Sequence, residues 1–222
     1  MKKVKKIVSV VLIITAAIIA IPVLAWNVNK AVLTRDGFIG EEQVKIASVD
    51  YRYDNFVVSK EGKTIALVDD WKINEVPEDP SHTFLVVRSF LDQYYIVKRD
   101  YVIPVSGDVS CAYIDGERTT DDELLTALTQ IMNTKFEDGK EIEISYRGGD
   151  LEKYNFKSVI VGYGDCPVGT DSSIYYIGKK ESNWIIIFRD ELSEEDGDKQ
   201  SAIYYELDEK YSKTLEKSEF SQ

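Results

Sequence analysis

Histidine is almost missing from this chain: His82 is the only one in 222 residues. That excludes every site needing two histidines, including the H-E-x-x-H helix of metalloproteases. A His–Ser or His–Cys dyad would have to use His82 itself. Ser81 adjoins it, but neighbours along an extended chain face opposite ways. Cysteine is scarce too, with Cys111 and Cys166 alone. Two thiols and one imidazole cannot complete a four-ligand structural zinc site without carboxylates. Sequence motifs are also lacking. G-x-S-x-G and S-x-x-K do not occur, which removes the usual serine-hydrolase and penicillin-recognising arrangements. Gly162, Gly164 and Gly169 follow a β-like run, yet Pro167 stands where a dinucleotide loop needs glycine. No Gly-Lys-Ser or Gly-Lys-Thr is present to cradle phosphate. No cofactor is therefore expected.

Positive charge is the next shortage. Lys and Arg number 27 against 39 Asp and Glu, and Lys2, Lys3, Lys5 and Lys6 sit together at the front. The rest of the chain is thus more acidic than its formal net charge of −12 suggests. A nucleic-acid partner is not expected, because phosphate binding needs a positive surface. Adhesion to anionic lipid is disfavoured for the same reason. An acidic surface of this kind mainly keeps an exported protein soluble.

One long apolar run is present, from Ile7 to Trp26, directly behind the four lysines. As a helix at about 1.5 Å per residue it would reach roughly 30 Å, enough to cross a hydrocarbon core. Residues 1–26 are therefore read as a membrane partner, either a retained anchor or a cleaved signal. Pro22 breaks the run, and Val23 and Ala25 supply small residues for a cut after Ala25. No cysteine stands directly after the run, so a lipid-modified N-terminus is not expected. The lysines would stay inside, placing the body outside the cell membrane or in the medium.

The body divides into a linker over 27–40, a β-rich extracytoplasmic domain over 41–207 and a charged tail over 208–222. Aromatics make up 11% of the chain, with 14 Tyr, and these residues favour pleated surfaces. Strands are expected at Val44–Val49, Thr83–Arg88, Gln93–Val105, Glu141–Tyr146, Phe156–Tyr163 and Ala202–Leu207. Asn55–Ser59 and Thr64–Val68 read as a hairpin, as do Ser173–Ile177 and Trp184–Arg189. Asp115-Gly116 marks a third hairpin, because a type I′ turn needs positive φ at both positions. Asn74–Ser81, with Pro77 and Pro80, reads as loop. A helix follows Thr120, taken as N-cap with Glu123 completing a capping box. Leu124, Leu125, Leu128, Ile131 and Met132 recur at helical spacing on one face. Asp208–Gln222 reads as frayed helix or tail. The fold class is α+β and mainly β: a hydrophobic N-terminal helix, then an antiparallel domain of about nine strands with one amphipathic helix.

Outside the cytosol, Cys111 and Cys166 are expected to form a disulfide. Glu194, Asp196 and Asp198 flank Gly197 and are the only candidates for a weak calcium site. They do not form an EF-hand, since Leu192 and Ile203 fall where carboxylates are required. Paired carboxylates for glycoside chemistry are set by spatial separation and leave no sequence mark. Trp71 and Trp184 could stack on a sugar, though Trp184 opens an apolar run and belongs better in a core. The leading expectation is a non-catalytic extracytoplasmic binding domain, tethered or secreted, that recognises a surface protein, a peptide or a wall component. A cell-envelope hydrolase using paired carboxylates is the alternative. An accessory or immunity-type subunit of a membrane complex is the third reading.

Overall fold

The computed structural model describes residue 30 and residues 32–145, 156–170, 174–192, 199–218 and 220. These residues are mainly β, with sixteen strands in antiparallel sheets and two helices. They fall into two compact units. The first holds the chain up to Tyr53, then Gly62–Glu75 and His82–Arg99; the second holds Asp54–Glu61, Val76–Ser81 and the chain from Asp100 on. No helix among the described residues is long and apolar enough to cross a membrane. The expected leader helix at 1–26 lies outside them.

In the first unit run β1 (Gly37–Ile39), β2 (Val44–Ile46) and β3 (Val49–Tyr53). After β4 (Phe56–Val57), which belongs to the second unit, come β5 (Thr64–Val68), β6 (Trp71–Glu75), β7 (Phe84–Arg88) and β8 (Gln93–Lys98). The sheet order is β1-β2-β3-β8-β7-β6-β5. Just before β1, Thr34 bridges Leu67 in parallel, and the Arg35 amide donates to the Leu67 carbonyl at 2.8 Å. The two rims of the sheet so meet, and the unit is partly barrel-like. Val44, Tyr51, Ala66, Val68, Ile73, Leu85, Val87 and Ile96 fill it. They alternate along their strands, as a sheet with one inner face requires.

The sequence misleads here at tight turns. Val44–Val49 is not one strand: the chain reverses at Ala47-Ser48, with Ala47 at φ 54°, and β2 pairs with β3. Alanine carries no turn signature, so the reversal is invisible in composition. The expected pairing of Asn55–Ser59 with Thr64–Val68 is also wrong. β5 turns instead through Asp69-Asp70 to pair with β6, whose last residues, Asn74 and Glu75, fall in the stretch that reads as loop. Asp69 takes φ 52°, a conformation aspartate tolerates through local hydrogen bonding. The strand begun at Gln93 ends at Lys98 rather than Val105, and β1 lies inside the segment read as linker.

The second unit carries β9 (Val109–Ile114), β10 (Glu117–Thr119), helix α1 (Asp122–Met132), β11 (Lys140–Ser145), β12 (Lys157–Tyr163), β13 (Gly169–Thr170), β14 (Ile174–Lys180), β15 (Asn183–Leu192), β16 (Lys199–Glu206) and helix α2 (Glu209–Lys217). Its main sheet is ordered β10-β9-β12-β14-β15-β16-β11. Strands β4 and β13 form a separate two-stranded ladder. The β9–β10 hairpin turns at Asp115 and Gly116, with φ 50° and 85°, as the Asp-Gly pair demands. Helix α1 is also where expected. Its cap is Asp121 rather than Thr120: the Asp121 carboxylate accepts from the amides of Glu123 and Leu124 at 2.9 and 3.1 Å.

One face of this sheet is covered by the helices. Leu124, Ala127, Leu128 and Ile131 of α1 pack with Ala112, Ile114, Val159, Val161, Ile177 and Ile186. The C-terminal segment is a second correction. It is no frayed tail: Tyr211 and Leu215 of α2, and Phe220 beyond it, are buried in the same core. Three apolar side chains spaced four and five apart suffice to seat a short charged helix, though they barely raise its mean hydropathy.

Leu128 is fully buried at the centre of α1. Leu128→Ala should therefore cost about 2–5 kcal/mol of stability. Gln130→Ala, on the exposed side of the same helix, should change it by less than about 0.5 kcal/mol. Denaturant midpoints of the two variants measure the contrast; equal losses would contradict the assigned face.

Candidate functional site: a buried thiol cluster and an exposed hairpin tip

The face of the second sheet away from the helices holds both cysteines. Cys111 and Tyr113 alternate with Ala112 and Ile114 on β9, so they point to the opposite side. Arg118 of β10 is the direct cross-strand partner of Tyr113. On β12 the residue opposite Cys111 is Gly162. The ladder slips there: Gly162 pairs with Cys111 and Tyr163 with Val109, leaving Ser110 as a bulge. The chain then turns through Gly164, with φ 63°, and the Cys166 amide donates to the Tyr163 carbonyl at 3.0 Å. This folds residues 166–170 back over the strands.

Two glycines make that close approach physical. A Cβ on Gly162 would lie 2.3 Å from the Val168 carbonyl oxygen and 2.9 Å from Cys111 Sγ. A Cβ on Gly169 would meet Tyr113 Cδ2 and Ile160 Cγ2, each at 2.9 Å. Any side chain at either position would lift the segment off the sheet. The result is that Cys166 sits on Cys111. Cys111 Sγ points at the Cys166 carbonyl oxygen at 3.7 Å, Cys166 Sγ donates to the Val168 carbonyl at 3.3 Å, and the Ser110 hydroxyl donates to the Cys166 carbonyl at 2.7 Å. Both cysteines are free thiols here and are almost fully buried, at 1% and 0% exposure.

Burial sets the chemistry of this cluster. Desolvation raises the Cys166 thiol from an ordinary 9.0 to about 11, with the neighbouring Cys111 adding to the rise. Desolvation also raises Cys111, although the Arg118 charge pulls it down. Tyr113 is raised by burial and then by the Cys111 thiol and Glu78. Tyr101, whose hydroxyl donates to Asp165 at 3.2 Å, is raised chiefly by burial. At neutral pH these groups are protonated, so the thiols are not poised as nucleophiles. The Tyr113 hydroxyl, Glu78 Oε2 and Arg118 Nε are buried without a hydrogen-bond partner among the described residues. Glu78 uses its other oxygen to accept from the Ser59 hydroxyl.

The remaining candidates are not drawn into this cluster. His82 takes φ 53°, and its Nε2 lies 3.8 Å from Glu75 Oε2. The Ser81 hydroxyl donates to the buried Asp79 carboxylate, which also accepts from the Ser81 amide at 3.2 Å. Both side chains of the hypothetical Ser81–His82 dyad are therefore otherwise engaged. Asp79 closes a turn with its charge. Trp184 is buried in the helix-side core, whereas Trp71 is half-buried in the first unit. Glu194, Asp196 and Asp198 lie outside the described residues. Among the described residues no three His, Cys, Asp or Glu converge as a metal site. An open groove between α1 and α2 is lined by Asp122, Glu123, Gln130, Lys210, Tyr211 and Thr214. Lys210 is paired there with Asp208 at 3.0 Å.

A second feature lies at the turn joining β7 to β8, within the first unit. Phe90 is 99% exposed and Leu91 85% exposed. Large apolar side chains so fully in water are unusual when adjacent. The turn is nevertheless well tied. The Ser89 amide donates to the Asp92 carbonyl at 2.9 Å, and Ser89 Oγ accepts from the Leu91 and Asp92 amides at 3.3 and 3.0 Å. Just beyond it on β8, Tyr94 is 41% exposed and stacks against Trp71 and Tyr53, with ring centroids 5.6 and 5.5 Å away. Sequence reasoning passed over the tip. Its signal was present: a Phe-Leu pair between Ser89 and Asp92, where a polar turn belongs.

Comparison with protein-family models, with curated proteins and with solved structures finds no match to this chain.

The raised thiols predict an alkaline weakness in the reduced protein. The folded state holds thiol protons that the unfolded chain releases near pH 9, so stability must fall as pH rises toward 11. Below pH 9 this contribution is fully present. Denaturant midpoints at pH 7, 9 and 10.5 should decline for the wild-type protein and decline less for Cys166→Ala. Parallel profiles would refute the assignment.

Proposed function

We propose that this chain is a non-catalytic extracytoplasmic binding domain, held at the membrane by residues 1–26 or released by cleavage after Ala25. It engages a surface protein, a peptide or a wall component through the β7–β8 tip. The supporting observation is the full exposure of Phe90 and Leu91 on a turn fixed by Ser89 and Asp92. A fixed turn loses little freedom on docking, so most of the apolar gain is kept. Burying each side chain would be worth roughly 1.5–3 kcal/mol. Tyr94, just beyond the turn on β8, and Trp71 against it bring the aromatic character common to binding surfaces. The protonated thiols and the engaged Ser81, Asp79 and His82 side chains favour binding over catalysis.

The test is a photoreactive residue at position 90 of the full chain in intact cells, with position 41 of the same unit as control. An adduct at 90 and none at 41 is expected. Equal labelling at both, or none at 90, would remove the proposal. The Phe90→Ser, Leu91→Ser double variant should fold normally and lose the adduct's partner by at least about tenfold in affinity, as the burial energies imply. Fractionation should place the chain in membranes or medium; recovery in the cytosol alone would overturn the location.

A further inference from the structure

The two cysteines take no part in that reading, and their placement carries a separate inference. We infer that Cys111 and Cys166 are a redox pair that closes into a disulfide and clamps the 164–170 segment onto β9. They are 55 residues apart in the chain, yet the Cys166 carbonyl lies 3.7 Å from Cys111 Sγ. Gly162 sits opposite Cys111 in the ladder, and its missing side chain leaves the gap through which the two residues meet. Each sulfur is held on a backbone carbonyl of this segment, Cys111 on Cys166 and Cys166 on Val168 at 3.3 Å. The segment that would be clamped also carries β13, which pairs with β4 through only two residue pairs, Gly169–Val57 and Thr170–Phe56. So short a ladder is a weak hold, and a covalent tie beside it supplies the missing constraint.

The chemistry is thiol–disulfide exchange with a small disulfide or a disulfide catalyst as oxidant. One cysteine thiolate attacks the oxidant and expels its first half as a thiol, leaving a mixed disulfide on the protein. The second cysteine thiolate displaces the other half. Two S–H bonds of the protein and the oxidant's S–S bond are lost; one protein S–S bond and two oxidant thiols are formed. The two electrons and two protons pass to the oxidant. Both sulfurs are shielded from water, so exchange takes place before the 166–170 segment docks or while it is lifted. Once closed, the same burial protects the bridge.

The inference does not need the docking role or the location, because the oxidant can be supplied in vitro. The detergent-solubilised full chain is refolded with oxidised and reduced glutathione, alkylated in denaturant and weighed. The expected product carries no alkyl group until reduced, and its digest joins the Cys111 and Cys166 peptides. Two alkylated cysteines, or two glutathione adducts, would overturn the inference. Dithiothreitol should open the bridge at least tenfold more slowly in native buffer than in denaturant, and equal rates would argue against a buried clamp. Amide exchange at Val168–Thr170 should slow at least tenfold on oxidation in the wild-type chain. It should not respond to oxidant in Cys111→Ser. A wild-type rate unmoved by oxidation would refute the clamp even if the variant failed to fold.

Discussion

The second unit depends on how closely residues 166–170 lie on β9 and β12. A sheet buried on both faces needs two covers, and its helices supply only one. Over β9 and β12 the other is a loop with few large side chains, so it must come within backbone contact to exclude water. Gly162 and Gly169 permit this, since a Cβ at either would come within 2.9 Å of packed neighbours. Everything unusual on that face follows from the contact: the deep burial of Cys111, Tyr113 and Cys166, the raised thiols, and the bulge at Ser110 that lets its hydroxyl hold the loop.

The same contact explains the orphan polar atoms. Tyr113 brings a hydroxyl into a region whose backbone partners are already used, and Glu78 and Arg118 each leave one atom unmatched beside it. A buried donor or acceptor without a partner costs about 1–3 kcal/mol. A core made only of such compromises would not hold. Here they are offset by the helix-side core, where Leu124, Leu128, Ile131, Ile177 and Ile186 are fully enclosed.

How much of this was legible in the sequence depended on whether the signal was local. The α1 face and the Asp115-Gly116 turn rest on spacing and on residues with special backbone freedom, and both are where expected. The Ala47-Ser48 and Asp69-Asp70 reversals defeat the same reasoning, because two-residue turns without glycine leave no punctuation. The β4–β13 ladder joins residues more than a hundred positions apart, and no local pattern encodes it. The docking of helix α2 was not legible, because three apolar residues among many charges do not register until a partner surface is known. The thiol site was legible only as a pair of cysteines; their meeting is decided by Gly162, which reads in isolation as a turn residue. The Phe90-Leu91 tip is legible as a violation of turn composition.

Strand β11 ends its sheet and, among the described residues, pairs with β16 alone. Among the described residues its outer rim has no ladder partner, and open edges of that kind are where another copy could lengthen a sheet. The surplus of acid along the chain then acquires a second meaning. Copies approaching rim to rim repel one another, and that barrier works only as far as the ionic atmosphere allows. In dilute salt the molecule is guarded against its own stacking. In concentrated brine, where the screening length shrinks to about 3 Å, that repulsion is lost.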